Sequence, residues 1–311
     1  MKVVTVHSHK GGSGKTTLGV SLAQQLASSG KKVCLIDLDL VGPGVEYLVP
    51  CDVPCKYVND FISTKEMELG EITAKGCVCR GEKGAAQFDV VLASSRFEDF
   101  DRVYGELLYE HTDDSITGVP LQRLLEGLQD RVEVVIVDNS PGLAYVSAKT
   151  LVLSRRSSAH SGTAIFVTSL ERADFVGFST RMAGLSQYLS GYPSLIVINK
   201  VRESDKERVQ SILGGNLGDL IDQDGQLKDR RQTASIEAAL RWSKFIGGQH
   251  EQGVPVVVLP FDVSVWRMSR LANPYGLNVL RLSEDNAFRR GVQELAARIM
   301  GEPQGALRES T

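Results

Sequence analysis

A glycine-rich run set between a short apolar strand and an amphipathic helix constrains this chain more than any other stretch. Lys10-Gly11-Gly12-Ser13-Gly14-Lys15-Thr16-Thr17 follows Val3-Val4-Thr5-Val6 and precedes Leu18, Leu22 and Leu26 at helical spacing. The strand, loop and helix that a phosphate-binding loop needs are all present, in that order. Glycines at 11, 12 and 14 allow the backbone to turn several N–H groups toward phosphate oxygens, and the helix beginning near Thr16 adds its positive end. Lys15 is placed to neutralise β- and γ-phosphates and the Thr16 hydroxyl to complete a magnesium shell, with Ser13 and Thr17 filling out the cradle.

Lys10, five residues before Lys15, lies outside the minimal loop. The sequence KGGSGKTT resembles the deviant Walker A loop of the MinD/ParA group of ATPases. That resemblance implies an α/β fold with a mostly parallel central sheet flanked by helices, and ATP and Mg2+ as cofactors. It also implies that Lys10 is a signature lysine crossing a dimer interface to a phosphate held by the opposite subunit. An ATP-dependent homodimer and a protein cargo or activating partner are therefore expected.

The strand Lys32 to Asp37 runs into Asp37-Leu38-Asp39 and then Val41-Gly42-Pro43-Gly44. Carboxylates at i and i+2 leave a strand end on one side, at the carboxyl edge where α/β sheets bind ligands. This resembles the family's switch I, which implies Asp37 near the magnesium shell and Asp39 polarising the attacking water. An apolar run from Val132 to Val137 ends at Asp138, as suits a central parallel strand with a Walker B acid holding magnesium through water. Asn139-Ser140-Pro141-Gly142 is similar to switch II, although Pro141 stands three residues after Asp138 where the family order is Asp-x-Pro-x-Gly.

Ser194 to Ile198 reads as a further strand closing on Asn199-Lys200. A guanine site needs an acid two residues beyond that lysine; Arg202 stands there and has no acceptor, so adenine is favoured. By resemblance Asn199 contacts the adenine ring, and Val256 to Asp262, with Pro260 and Asp262, closes over the base.

Apolar runs alternate with helical patterns to about Leu259, the signature of βαβ units. The expected organisation is one ATPase domain over 1–300, with insertions at about 50–130 and 214–252 and a polar tail at 301–311. The first insertion contains Tyr57 to Ile62, an expected strand at Phe88 to Leu92 and an acidic stretch from Glu106 to Asp114; either insertion suits a client. No apolar run reaches bilayer length, so stable membrane insertion is not expected and a cytoplasmic location is. Phe288, Val292, Leu295 and Ile299 form one apolar face, read as a helix packed on the sheet rather than on a membrane.

A net charge of -3 offers no global attraction for nucleic acid, which would need a local patch such as Arg267, Arg270, Arg281, Arg289, Arg290 and Arg298. Cys51, Cys55, Cys77 and Cys79 support an alternative, an ATP-binding regulatory or metal-handling protein with little turnover. Nitrogenase-iron-protein-like reductases and Mrp-type cluster carriers hold their clusters through cysteines downstream of Walker B; this sequence has none after Cys79. His7 and His9, beside the loop, are explained by packing.

Overall fold

Short runs rich in Val and Ile make the sheet. The computed structural model describes residues 1–50, 56–64, 67–81, 84–99, 101, 103, 115–142, 145–156, 161–169, 171, 174, 177–178, 192–202, 255–270 and 276–302. Its strands are β1 (Lys2–Ser8), β2 (Val33–Leu38), β3 (Thr73–Gly81), β4 (Gly84–Val91), β5 (Val134–Asn139), β6 (Ser161–Ser169), β7 (Ser194–Val201) and β8 (Val256–Pro260). They form one sheet in the order β3-β4-β2-β5-β1-β6-β7-β8, parallel except for the β3–β4 pair. Every residue of β2 and β5 is buried, because helices cover both faces of a parallel sheet. This is the mostly parallel central sheet flanked by helices, the α/β class expected from the alternating apolar runs.

The helices are α1 (Lys15–Ser28), α2 (Val45–Leu48), α3 (Val58–Ser63), α4 (Leu69–Ile72), α5 (Ser115–Leu128), α6 (Tyr145–Arg156), α7 (Val263–Arg270) and α8 (Ala287–Met300). The two-residue period of β1 divides its side chains between two cores. Val4 and Val6 join Leu18, Leu22 and Leu26 of α1 and Phe288, Val292, Leu295 and Ile299 of α8. Val3 joins Ile36 and Val137 with Leu121, Leu124 and Leu128 of α5. The apolar stripe near the end of the chain is thus core. Each such leucine or isoleucine contributes about 1.5–3 kcal/mol by leaving water. Asn286 caps α8 by accepting from Arg289 N at 3.0 Å, and Gly301 ends it in the left-handed conformation that glycine adopts without strain. Among the described residues no helix is long and apolar enough to cross a membrane.

Two strands were not expected. Residues 73–81, within the first insertion, become a strand by pairing with β4. A register shift between Ala74 and Cys77, with Gly76 at φ 65° and its N–H on Asp89 Oδ1 at 3.0 Å, brings Ala74, Cys77 and Cys79 to the buried face. Residues 161–169 form β6, which lies directly beside β1. Phe88 to Leu92 was expected as a strand, and β4 occupies Gly84–Val91 in the main sheet. The stretch Tyr57 to Ile62 falls on α3. The acidic stretch 106–114, the segment 214–252 and the tail beyond residue 302 lie outside the described residues.

The chain leaves β1 toward β2 on one side and, after β5, crosses to β6 on the other. The winding direction therefore reverses beside β1, where α/β sheets open a ligand crevice at the carboxyl edge.

Candidate functional site

The loop between β1 and α1 opens into that crevice. Gly12 and Gly14 take φ of 81° and 97°, in the region where an L side chain is strained, and a Cβ on Gly14 would collide with the Asn199 amide. Leu18 N donates to Gly14 O at 2.9 Å, so α1 starts at the loop and aims its free N–H groups outward. Lys15 is 4% exposed, and the buried Ser13 hydroxyl has no hydrogen-bond partner. The switch-II-like turn is latched to this loop: Gly142 N donates to Ser8 O at 2.9 Å, and Ser8 Oγ to Lys10 O at 3.0 Å.

Asp37 and Asp138 stand side by side at the ends of β2 and β5, in register and fully buried. Asp37 Oδ1 accepts from Asp39 N at 2.9 Å, and Oδ2 accepts from Gly44 N and Val45 N at 3.1 Å each. It caps α2 and shapes the loop that carries Asp39. Burial, with Asp138 beside it, still pushes the Asp37 carboxyl well above the carboxylate range, against the N–H groups of Val45 and Asp39. Neither oxygen of Asp138 has a well-formed hydrogen bond. Burial raises its carboxyl to about 6; Lys15 and the Thr16 hydroxyl favour the charged form, and Asp39 opposes it. An orphaned buried carboxylate beside a buried lysine and a threonine hydroxyl fits a hydrated magnesium ion carried by polyphosphate, which would supply the missing cation and hydrogen bonds. Asp39 is itself buried, its Oδ1 accepting from Gly42 N at 3.1 Å.

Lys10 lies apart from this cluster. Its side chain is 54% exposed and pairs with Glu171 at 3.8 Å. Sequence reading missed Glu171, since only the adjacency of β1 and β6 brings their two following loops together. Asp174 shapes the second loop by accepting from Ser169 N and Oγ at 2.9 Å each.

The residues expected to meet a base are engaged within the chain. Asn199 Nδ2 donates to Ser13 O at 2.9 Å, and its Oδ1 accepts from Lys200 N at 2.9 Å, so most of the amide is engaged with the phosphate loop and its own strand end. One Nδ2 hydrogen is left for an adenine edge. Pro260 ends β8 opposite Val201. Asp262 caps α7, its Oδ1 accepting from Val265 N at 3.0 Å, while Oδ2 accepts from Asn286 Nδ2 at 2.7 Å.

The other candidates resolve into structural roles. His7 is fully buried and stacked on Phe166 with ring centroids 5.5 Å apart; burial, then Lys15, lowers its pKa to about 3, so it stays neutral. Arg289 is buried and donates to Leu282 O, and Arg298 pairs with Glu294, which removes two arginines from any exposed basic patch. Cys77 and Cys79 belong to the apolar core, the Cys79 thiol accepting from Gln24 Nε2 at 3.2 Å. Cys51 and Cys55 lie outside the described residues, among which no group of three or more ligands is gathered for a metal.

With this geometry in view, the family model described as an AAA domain matches residues 1–157. An uncharacterized ATP-binding protein of Methanocaldococcus jannaschii is 29% identical over 140 residues, 45% of either chain. A Drosophila simulans cytosolic Fe-S cluster assembly factor, the Nubp2 homolog, is 31% identical over 129 residues, 37% of this chain and 49% of its own. The chain thus spans about half the length of the curated relatives it matches. Among solved structures, the septum site-determining protein MinD of Pyrococcus horikoshii, complexed with Mg-ADP, superposes over 96% of each chain with a TM-score of 0.60 at 16% identity. At that identity the likeness is one of fold.

Proposed function

From a chain that belongs to the AAA-domain family, and within it to the P-loop ATPases of the MinD/ParA type, we propose a magnesium-dependent ATPase that dimerises around ATP. It acts as a switch for positioning, partitioning or assembling a cellular cargo. The observation that carries this is the orphaned Asp138 carboxylate facing Lys15 and Thr16 beneath the phosphate loop. In this reading the N–H groups of residues 11–17 and Lys15 hold the phosphates. Magnesium, when bound through Thr16 and Asp138 with Asp37 behind them, offsets phosphate charge. Asp37 orders the loop that presents Asp39, and Asp39 polarises the attacking water. Asn199, Pro260 and Asp262 form the base end.

Dimerisation at this edge has a second support. Seven large apolar side chains are exposed among the described residues, and six of them, Val41, Tyr47, Phe97, Phe261, Val263 and Trp266, follow the carboxyl ends of β2, β4 and β8. Exposed apolar side chains on the edge that carries the charged loop suit an interface. The cargo is not set by the fold; the matched relatives are named as a septum protein and a cluster assembly factor.

Light scattering with ATP and Mg2+ tests the proposal. The mass should double with ATP, and GTP should need at least about tenfold more to match it, because Arg202 cannot accept from guanine. A mass that ATP leaves unchanged would overturn the dimer; equal potency of GTP would overturn the base assignment.

Acid should weaken magnesium-dependent binding. The folded pKa of Asp138 is raised from 3.8 to about 6, so the native chain holds a proton there that the unfolded chain has lost, and stability falls as pH rises across that window. A cation must displace the same proton. Magnesium-dependent nucleotide affinity is therefore expected to fall by up to about tenfold per unit below about pH 6. Titrating fluorescent ATP with and without Mg2+ across that range checks this, and Asp138→Asn should flatten the profile.

A further inference from the structure

We propose that Lys200 is a positioning residue: with Asn199 it clamps the phosphate loop from the end of β7, so that its backbone is set before phosphate arrives. This rests on the nucleotide-binding reading above. Three successive loop residues are engaged. Lys200 Nζ donates to Gly12 O, Asn199 Nδ2 donates to Ser13 O at 2.9 Å, and Gly14 lies so close to the Asn199 amide that no Cβ would fit. The grip is not a by-product of strand pairing, because β6 separates β1 from β7 in the sheet.

The consequence follows from peptide geometry. In a trans peptide the C=O and the following N–H point in opposite directions. Holding the Gly12 and Ser13 carbonyls toward β7 therefore turns the N–H groups of Ser13 and Gly14 the other way, into the crevice where phosphate oxygens would sit. Lys200 is also the one non-glycine residue with positive φ among the described residues, at 61°. Such a conformation persists only where the surroundings hold it, and it gathers at functional sites. Here the Lys200 N–H on Asn199 Oδ1 and the ammonium on Gly12 O hold it. Lys200 is exposed, so its side chain is not serving the apolar core.

The test compares ATP with tripolyphosphate, which has phosphates and no base. Lys200→Met keeps the stem and the backbone preference but loses the ammonium, and should weaken both ligands by a similar factor, about tenfold, the worth of a charged hydrogen bond. The loss should appear in KM more than in kcat. Lys200→Arg, which can still donate to a carbonyl, should recover most of it. Lys200→Gly accepts the positive φ without strain, yet should bind as poorly as Lys200→Met. A loss confined to ATP would make Lys200 a base contact and overturn the clamp. Unchanged affinity in Lys200→Met, or wild-type affinity in Lys200→Gly, would also overturn it while leaving the nucleotide site standing. A wild-type chain that binds neither ligand would overturn the nucleotide reading and the clamp together.

Discussion

Lys15→Ala should abolish nucleotide binding. Lys15 is 4% exposed and is the cation that favours the charged form of Asp138, while the fully buried Asp37 stands next to that acid. Without the ammonium, a polyphosphate would enter beside Asp138 and Asp39 at a site that has lost its buried cation. Removing one partner from a buried charge cluster costs about 3 kcal/mol or more, over a hundredfold in affinity. The Asp138 carboxyl should also rise further, because a group that lowers it is gone. Thr16→Ala should weaken only the magnesium-dependent part of binding. Fluorescent ATP titrated into each purified variant measures both, and a Lys15→Ala protein of unchanged affinity would rule out the proposed loop.

Lys10 and Asp39 should separate dimerisation from turnover. The contact of Lys10 with Glu171 is long, at 3.8 Å, and exposed on both sides, so releasing the lysine costs little. In the proposed dimer its charge would meet a phosphate arriving across the interface, the nucleotide of its own loop being assigned to Lys15. Asp39 is buried beside the acid pair, and its Oδ1 accepts from Gly42 N, so the carboxylate is aimed by its own turn. Lys10→Ala is expected to bind ATP and remain monomeric. Asp39→Ala should bind, dimerise and hydrolyse about 10²-fold more slowly if the carboxylate positions the water. Light scattering paired with phosphate release reads both outcomes. Normal dimerisation and turnover in Lys10→Ala would sink the sandwich arrangement and leave a generic P-loop ATPase.

How far residues announced their roles depended on whether the signal was local. Lys10 to Thr17 form one uninterrupted segment whose spacing is itself the geometry, because a strand, a tight turn and a helix start must follow one another to build a phosphate loop. Asp37 and Asp138 were legible for a related reason: each ends an apolar run, and a strand buried on both faces leaves its first polar residue at the sheet edge. The stripe of Phe288, Val292, Leu295 and Ile299 was likewise readable as a core helix from its period.

Local sequence determined the fold class, the phosphate loop and the positions of the acids, since each rests on residues near in the chain and on the periods of helix and strand. Tertiary structure alone decided which distant groups meet. Strand order buried Asp37 and Asp138 side by side, and burial raised both carboxyls, helped by Asp138 at Asp37 and by Asp39 at Asp138; it set the loop after β6 beside Lys10; and it carried Asn199 and Lys200 across β6 to the carbonyls of Ser13 and Gly12. It also drew residues 73–81 into the sheet through their pairing with β4. The physical reason is common to these cases: burial, charge coupling and ladder pairing depend on distances between segments far apart in the chain, and those distances exist only once the sheet has assembled.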